Sequence, residues 1–302
     1  FRSKWQCQII KASTTNIAKY KAVYESSNCS TADHEKASDA YLLGEVNIIA
    51  RTVADLATRC EDSATWIGIQ WIGDSGFAEL APLGPDLYNG STGIALFLAG
   101  YGSLTKDQYF KDLAIISLAG LRKDINGLNA QRFARSLGLG GASGLGSVVY
   151  GLATLSEILH NNELLKDAKV AASLFTKELI ESDQNLDVIG GVAGAILSVL
   201  KLYRICPEPW ILEKAVWMGE YLIKQNRSGS GLYKSFSSIQ NDHGPMSGMS
   251  HGAAGYAYAL AALAKASGRR DFEEIAQECL RFENERFNEE YQNWPPIHQP
   301  GK

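Results

Sequence analysis

Apolar residues in this chain recur at helical spacing, four times over and in one register. Counting from the first glycine of each of four Gly-x-x-G segments, positions +4, +7, +8 and +11 are Ile94, Phe97, Leu98 and Tyr101, then Leu145, Val148, Val149 and Leu152. In the third segment they are Ala195, Ser198, Val199 and Leu202, and in the fourth Tyr256, Ala259, Leu260 and Leu263. This is the i, i+3, i+4, i+7 stripe of an amphipathic helix, with Ser198 its one polar member. The leading glycines, Gly90, Gly141, Gly191 and Gly252, are spaced by 51, 50 and 61 residues. After each stripe a polar break leads to a second helical pattern, near 106–124, 162–182, 209–226 and 270–288, and Pro207 and Pro209 fall in a break and at a first turn. Each unit is therefore a helical hairpin that cannot bury its apolar face alone, so the units stack. Small residues at the inner-helix starts let helix N-termini crowd together. The pattern predicts an all-α fold of repeated hairpins, with a ring of inner helices and an outer ring behind it.

Upstream, residues near 38–60 read as one long amphipathic helix. The β-branched and aromatic runs on either side of Gly73-Asp74-Ser75-Gly76 read as a small β-hairpin inserted near 65–80. Residues 1–37 are polar and uneven and read as a junction with a preceding domain, which leaves 38–302 for the helical repeat.

Composition narrows the function classes. With 302 residues, 45% hydrophobic and 21% charged, the chain has the make-up of a folded globular protein. Its net charge of −4, spread along the sequence, carries no nucleic-acid footprint. Five cysteines, Cys7, Cys29, Cys60, Cys206 and Cys279, are odd in number and irregularly spaced, which suits reduced thiols in a cytoplasmic protein better than a disulfide framework or a metal knuckle. No apolar run is long enough to span a membrane. The run from Gly138 to Gly146 lacks the dinucleotide spacing, because Ser143 stands where a glycine is required. Trp210, Trp217 and Tyr221 read as core.

Several segments together resemble the C-terminal half of class II (LanM-type) lanthipeptide synthetases. They are Trp5-Gln6 with Ile9-Ile10-Lys11-Ala12-Ser13, Thr65-Trp66-Ile67-Gly68, Pro82 to Gly90, Asp187-Val188-Ile189-Gly190-Gly191 and Ser250-His251-Gly252-Ala253-Ala254-Gly255. The resemblance implies a LanC-like cyclase domain, preceded in the same polypeptide by a dehydratase domain and acting on a lanthipeptide precursor. Peptide cysteine thiols would add to dehydroalanine or dehydrobutyrine, giving lanthionine and methyllanthionine rings, with Zn2+ activating the thiol. His251 and Asp187 match the family's proton-transfer residues, and both carry open alternatives on the residues alone. His251 reads equally as a structural histidine. Asp187 could simply cap its helix, since Asp86 stands at the same repeat position, four residues before the first glycine. The family's zinc ligands are expected in motifs beyond residue 302, after the Asn293-Trp294-Pro295-Pro296 segment, and no residue here replaces them; His243 reads as a loop residue. The resemblance therefore implies an α/α toroid (barrel) whose ring is incomplete, a C-terminally truncated cyclase, inactive as a fragment. The alternative is a metal-free LanC-like module that binds a peptide or partner without catalysis. Toroidal glycosidases and terpenoid cyclases need facing carboxylates or an acidic motif that this chain lacks.

Overall fold

The structure is a computed structural model that describes residues 38–71, 76–228 and 246–294. The 1–37 junction, the hairpin tip at 72–75, His243 and Pro295-Pro296 lie outside the described residues. Among the described residues the chain divides into two units, one of 38–85 with 89–121, the other of 86–88 with 122–294.

The first unit opens with helix α1, Asp39–Asp55, started by Ser38, whose hydroxyl accepts the Tyr41 N–H. The expected helix to residue 60 stops here: Thr58–Cys60 (β1) pairs antiparallel with Ser63–Thr65 (β2) around a turn in which Glu61 is left-handed, φ 49°. A second ribbon, β3 (Ile67–Trp71) with β4 (Ala78–Pro82), is the expected hairpin, in register Ile67 to Pro82 and Trp71 to Ala78. Trp66, buried between the ribbons, donates its indole N–H to the Val53 carbonyl at 2.7 Å and so pins the insertion to α1. The other face of α1 leaves Leu42, Ile48 and Ile49 exposed. Helices α2 (Ser91–Thr105) and α3 (Gln108–Ser117) form the first hairpin, and α4, Ala119–Asn126, leads into the second unit.

The second unit continues through α5 (Ala130–Leu137), α6 (Leu145–Ile158), α7 (Asn162–Ser173), α8 (Lys177–Glu181), α9 (Val192–Ile205), α10 (Pro209–Ser228), α11 (Ala253–Ser267) and α12 (Arg270–Arg286). Each inner helix packs against its outer partner, α6 with α7, α9 with α10 and α11 with α12, while α9 also touches both inner neighbours, α6 and α11. All twelve stripe positions of these three inner helices are buried. Ser198 is tolerated among them because its hydroxyl donates to the Gly194 carbonyl at 2.9 Å. In the first unit Leu98 and Tyr101 are buried, and Ile94 and Phe97 half-buried. Trp210 and Trp217, expected in the core, are half-buried instead; the Trp217 ring lies under Lys177 and Lys214, whose ammonium groups sit 4.6 and 5.2 Å from its centroid. Tyr221 is buried as expected.

The glycines act where backbones meet. A Cβ on Gly194 would lie 2.0 Å from the Val188 carbonyl oxygen and 2.4 Å from the Gly141 nitrogen, so the loop before α6 rests directly on the start of α9. The helix start is not the same in every repeat. Gly90, Gly191 and Gly252 are N-caps, but α6 begins three residues later, behind Gly144 with φ 147°, a conformation that disfavours any side chain. In every case a first-turn amide is accepted by a carbonyl seven residues upstream: Ser91 by Gly84, Leu145 by Gly138, Ala193 by Leu186 and Ala253 by Met246. The segment ahead of each helix thus supplies acceptors for N–H groups that the helix leaves unpaired.

Candidate functional site

The segments leading into α9 and α11 touch through one backbone bond, Val188 N–H to the Ser250 carbonyl at 3.2 Å. That contact brings together the two residues expected to act, which are 64 positions apart: His251 Nδ1 lies 2.6 Å from Asp187 Oδ2. The Asp187 side chain is 7% exposed and the His251 side chain 50%. Asp187 Oδ1 accepts the Gly190 N–H at 2.7 Å, so each carboxylate oxygen faces an N–H donor. Because an ionised carboxylate only accepts, the proton shared with the ring belongs on Nδ1. Nε2 takes no partner among the described residues, and in the neutral ring it carries the lone pair. A buried aspartate bonded to the ring of a half-exposed histidine can orient that ring for proton transfer.

The Asp187 carboxylate bonds Gly190, ahead of α9, and not an amide of the helix itself. The carboxylate that serves the helix start is Asp183, whose Oδ2 accepts the N–H of Val192, the first residue of α9, at 2.8 Å and that of Leu186 at 3.1 Å, while Oδ1 accepts from Asn185 at 3.2 Å. Burial pushes the Asp183 carboxyl up from the usual carboxylate range against these three donors, and the charge of Asp187 adds to the rise. Leu186, between the two aspartates, is held left-handed at φ 62°. Tyr256, in the first turn of α11, is almost wholly buried, and burial, with Asp187 and Asp183 nearby, raises its phenol above the ordinary range, keeping it neutral. Asp86, which shares the repeat position of Asp187, is half-buried.

The cysteines stand apart from this pair. Cys60 is exposed. Cys206 is half-buried and its thiol donates to Glu208 Oε1 at 3.1 Å, a bond that holds the proton on sulfur and raises its pKa. Cys279 is buried, and burial pushes its thiol up to about 12. Among the described residues no three His, Cys, Asp or Glu side chains converge in a way that could hold a metal ion, so these residues do not by themselves fit a zinc site. No described helix is long and apolar enough to cross a membrane.

Two residues at the site are not singled out by the sequence analysis. Asp183 sits in a Ser-Asp-Gln-Asn turn whose Asx character was its only mark. Glu283 belongs to an outer helix, α12, yet reaches the loop of His251; its run, Phe-Glu-Asn-Glu-Arg, reads like any solvated helix face.

Compared with known families, residues 81–301 match the one described as lanthionine synthetase C-like protein. No curated protein matches the chain at a significant level.

Proposed function

Because the chain belongs to the lanthionine synthetase C-like family, we propose that it forms thioether rings in a lanthipeptide precursor, as the cyclase part of a class II synthetase whose dehydratase domain precedes it in the same cytoplasmic polypeptide. The sulfur of a peptide cysteine adds to Cβ of dehydroalanine or dehydrobutyrine, making the C–S bond and sending the alkene electrons to Cα as an enolate. Protonation at Cα completes lanthionine or methyllanthionine, with no leaving group and no change of net protonation. His251 Nε2 can balance this step alone, taking the thiol proton as the neutral ring and returning one to Cα as the imidazolium. Asp187 holds Nδ1–H and stabilises the ring while it is charged. The family's zinc would lower the thiol pKa; its ligands would have to come from outside the described residues.

The observation that supports this reading is the 2.6 Å contact between a buried Asp187 and a half-exposed His251. It also favours catalysis over a purely binding module, which has no use for a tautomer fixed in this way. The test is ring closure in a pre-dehydrated peptide, incubated with the zinc-supplemented intact protein and scored by alkylation of the thiols that remain. Loss of free thiol with the wild type and its retention with His251→Ala are expected. Equal ring closure by the two proteins would remove His251 from the mechanism, and no closure by either would remove the activity.

A further inference from the structure

We infer that Glu283 is a positioning residue for His251, acting from the outer layer of the fold on the inner one. The Glu283 side chain leaves α12 one turn before its end and is only 5% exposed as a residue. A single oxygen, Oε1, accepts two backbone amides of the loop that carries the histidine, the Gly248 N–H at 2.8 Å and the Ala254 N–H at 2.7 Å. These donors stand three residues before and three residues after His251, so one carboxylate fastens both ends of a seven-residue segment with the histidine at its midpoint. The segment needs the fastening. It contains Gly248 at φ 100°, and its middle meets the Asp187 loop through the Val188 N–H to Ser250 carbonyl bond and the His251–Asp187 contact. Ala254 is in the first turn of α11, where a negative oxygen also satisfies an amide that the helix leaves unpaired and meets the positive helix end.

The backbone of Glu283 is itself held by the chain that follows α12. Trp294 donates its indole N–H to the Glu283 carbonyl at 2.9 Å, its ring meets Phe287 edge-on with centroids 4.9 Å apart, and Asn288 and Asn293 bridge the turn between them. Glu283 therefore joins three things: the last described turn of chain, the outer helix and the histidine loop. Its effect on His251 is geometric. Without an acceptor at Oε1 both ends of the loop lose a bond, the loop is left to the Ala253–Met246 and Gly255–Gly248 backbone bonds, and the contact of Nδ1 with Asp187 is held less firmly.

This role rests on the proton-transfer reading of His251, but its test does not need turnover. In the full chain labelled with ¹⁵N-histidine, the long-range ring spectrum reports which nitrogen of His251 carries the proton, with His251→Ala giving the assignment. The wild type is expected in the Nδ1–H form. Glu283→Met keeps volume and removes the acceptor, and is expected to lose that form in favour of the mixed tautomers of a free imidazole. Glu283→Gln keeps an acceptor oxygen and is expected to retain it. Should Glu283→Met not fold, Glu283→Asp, which withdraws the oxygen by one methylene, carries the same comparison. A folded Met or Asp variant with the wild-type ring spectrum would overturn the inference, as would a Gln variant that loses the form, since the carboxylate would then act through its charge and not through placement. Where ring closure is measurable, Met should lower kcat by roughly 10- to 100-fold with KM little changed, the scale of a misplaced catalytic group, and Gln should restore it. Absence of ring closure in the wild type would defeat the proposed function and leave the spectroscopic result standing.

Discussion

Replacing Asp187 by Asn separates orientation from stability more cleanly than any other change at this site. The amide has one accepting oxygen where the carboxylate has two. Oδ1 is committed to the Gly190 N–H at 2.7 Å, so the NH2 group of the variant faces His251 Nδ1. Two donors cannot face each other, and the neutral ring must move its proton to Nε2, which removes the lone pair from the exposed side. The reaction then loses the worth of a positioned acid-base group, about 10²- to 10³-fold in kcat, with KM little altered. At 1.36 kcal/mol per decade this is about 2.7 to 4 kcal/mol of barrier. The cost in stability is smaller, about 1 kcal/mol, because side-chain volume and the Gly190 bond are kept and the ring, 50% exposed, can bond to water. The assay is single-turnover ring closure of a peptide with one cysteine and one dehydroamino acid, quenched, alkylated and weighed, beside a urea melt of the same preparation. A wild-type rate, or a rate loss that merely follows the unfolded fraction, would refute the orienting role of Asp187.

Three further outcomes follow from the same structure. Burial raises the Asp183 carboxyl, so between its unfolded and folded pKa values the native state holds more protons than the unfolded state, and stability must fall as pH rises through that window; urea midpoints taken from pH 3.5 upward should show Asp183→Asn gaining on the wild type as pH rises, and a constant difference would contradict the assignment. In native protein at about pH 8, near the ordinary thiol range, alkylation mapped by mass spectrometry should mark Cys60 quickly and Cys279 only after unfolding, since the one is exposed and the other buried with its thiol near 12; early labelling of Cys279 would disprove its burial. Gly194→Ala drives a Cβ to 2.0 Å from a backbone oxygen and should unfold the chain or cost several kcal/mol, about 3 or more, whereas Gly100→Ala, in α2 with nothing within 4 Å, should add about 0.5 to 1 kcal/mol. Thermal melts of the two variants check the pair, and equal shifts would show that the close approach is not what selects glycine.

The repeat was legible because inner-helix stripes are nearly all apolar and start behind glycines, and every stripe position in α6, α9 and α11 is indeed buried. Other features were hidden for local reasons. Nothing in Thr58-Arg59-Cys60 interrupts a helical pattern, and only the pairing with Ser63–Thr65 ends α1 at Asp55. The second inner helix starts at Leu145 because Gly138, Leu139 and Gly140 carbonyls already serve its first amides, a matter of loop path that spacing does not report. His251 and Asp187 were named from family resemblance, but their bond depends on a contact between loops 64 residues apart. Glu283 was invisible: sequence shows a charged helix face, and only packing turns one glutamate of that face inward.

The seven-residue leads ahead of the inner helices bear on how such a chain can drift in length. Each lead is a ruler: inserting or deleting one residue between Gly84 and Ser91, Gly138 and Leu145, Leu186 and Ala193, or Met246 and Ala253 would bring the wrong carbonyl to the waiting amide. Growth is therefore excluded from the leads and left to the other connections. The unequal repeat intervals fit this division, since the longest one, from Gly191 to Gly252, keeps the same seven-residue count at both of its ends.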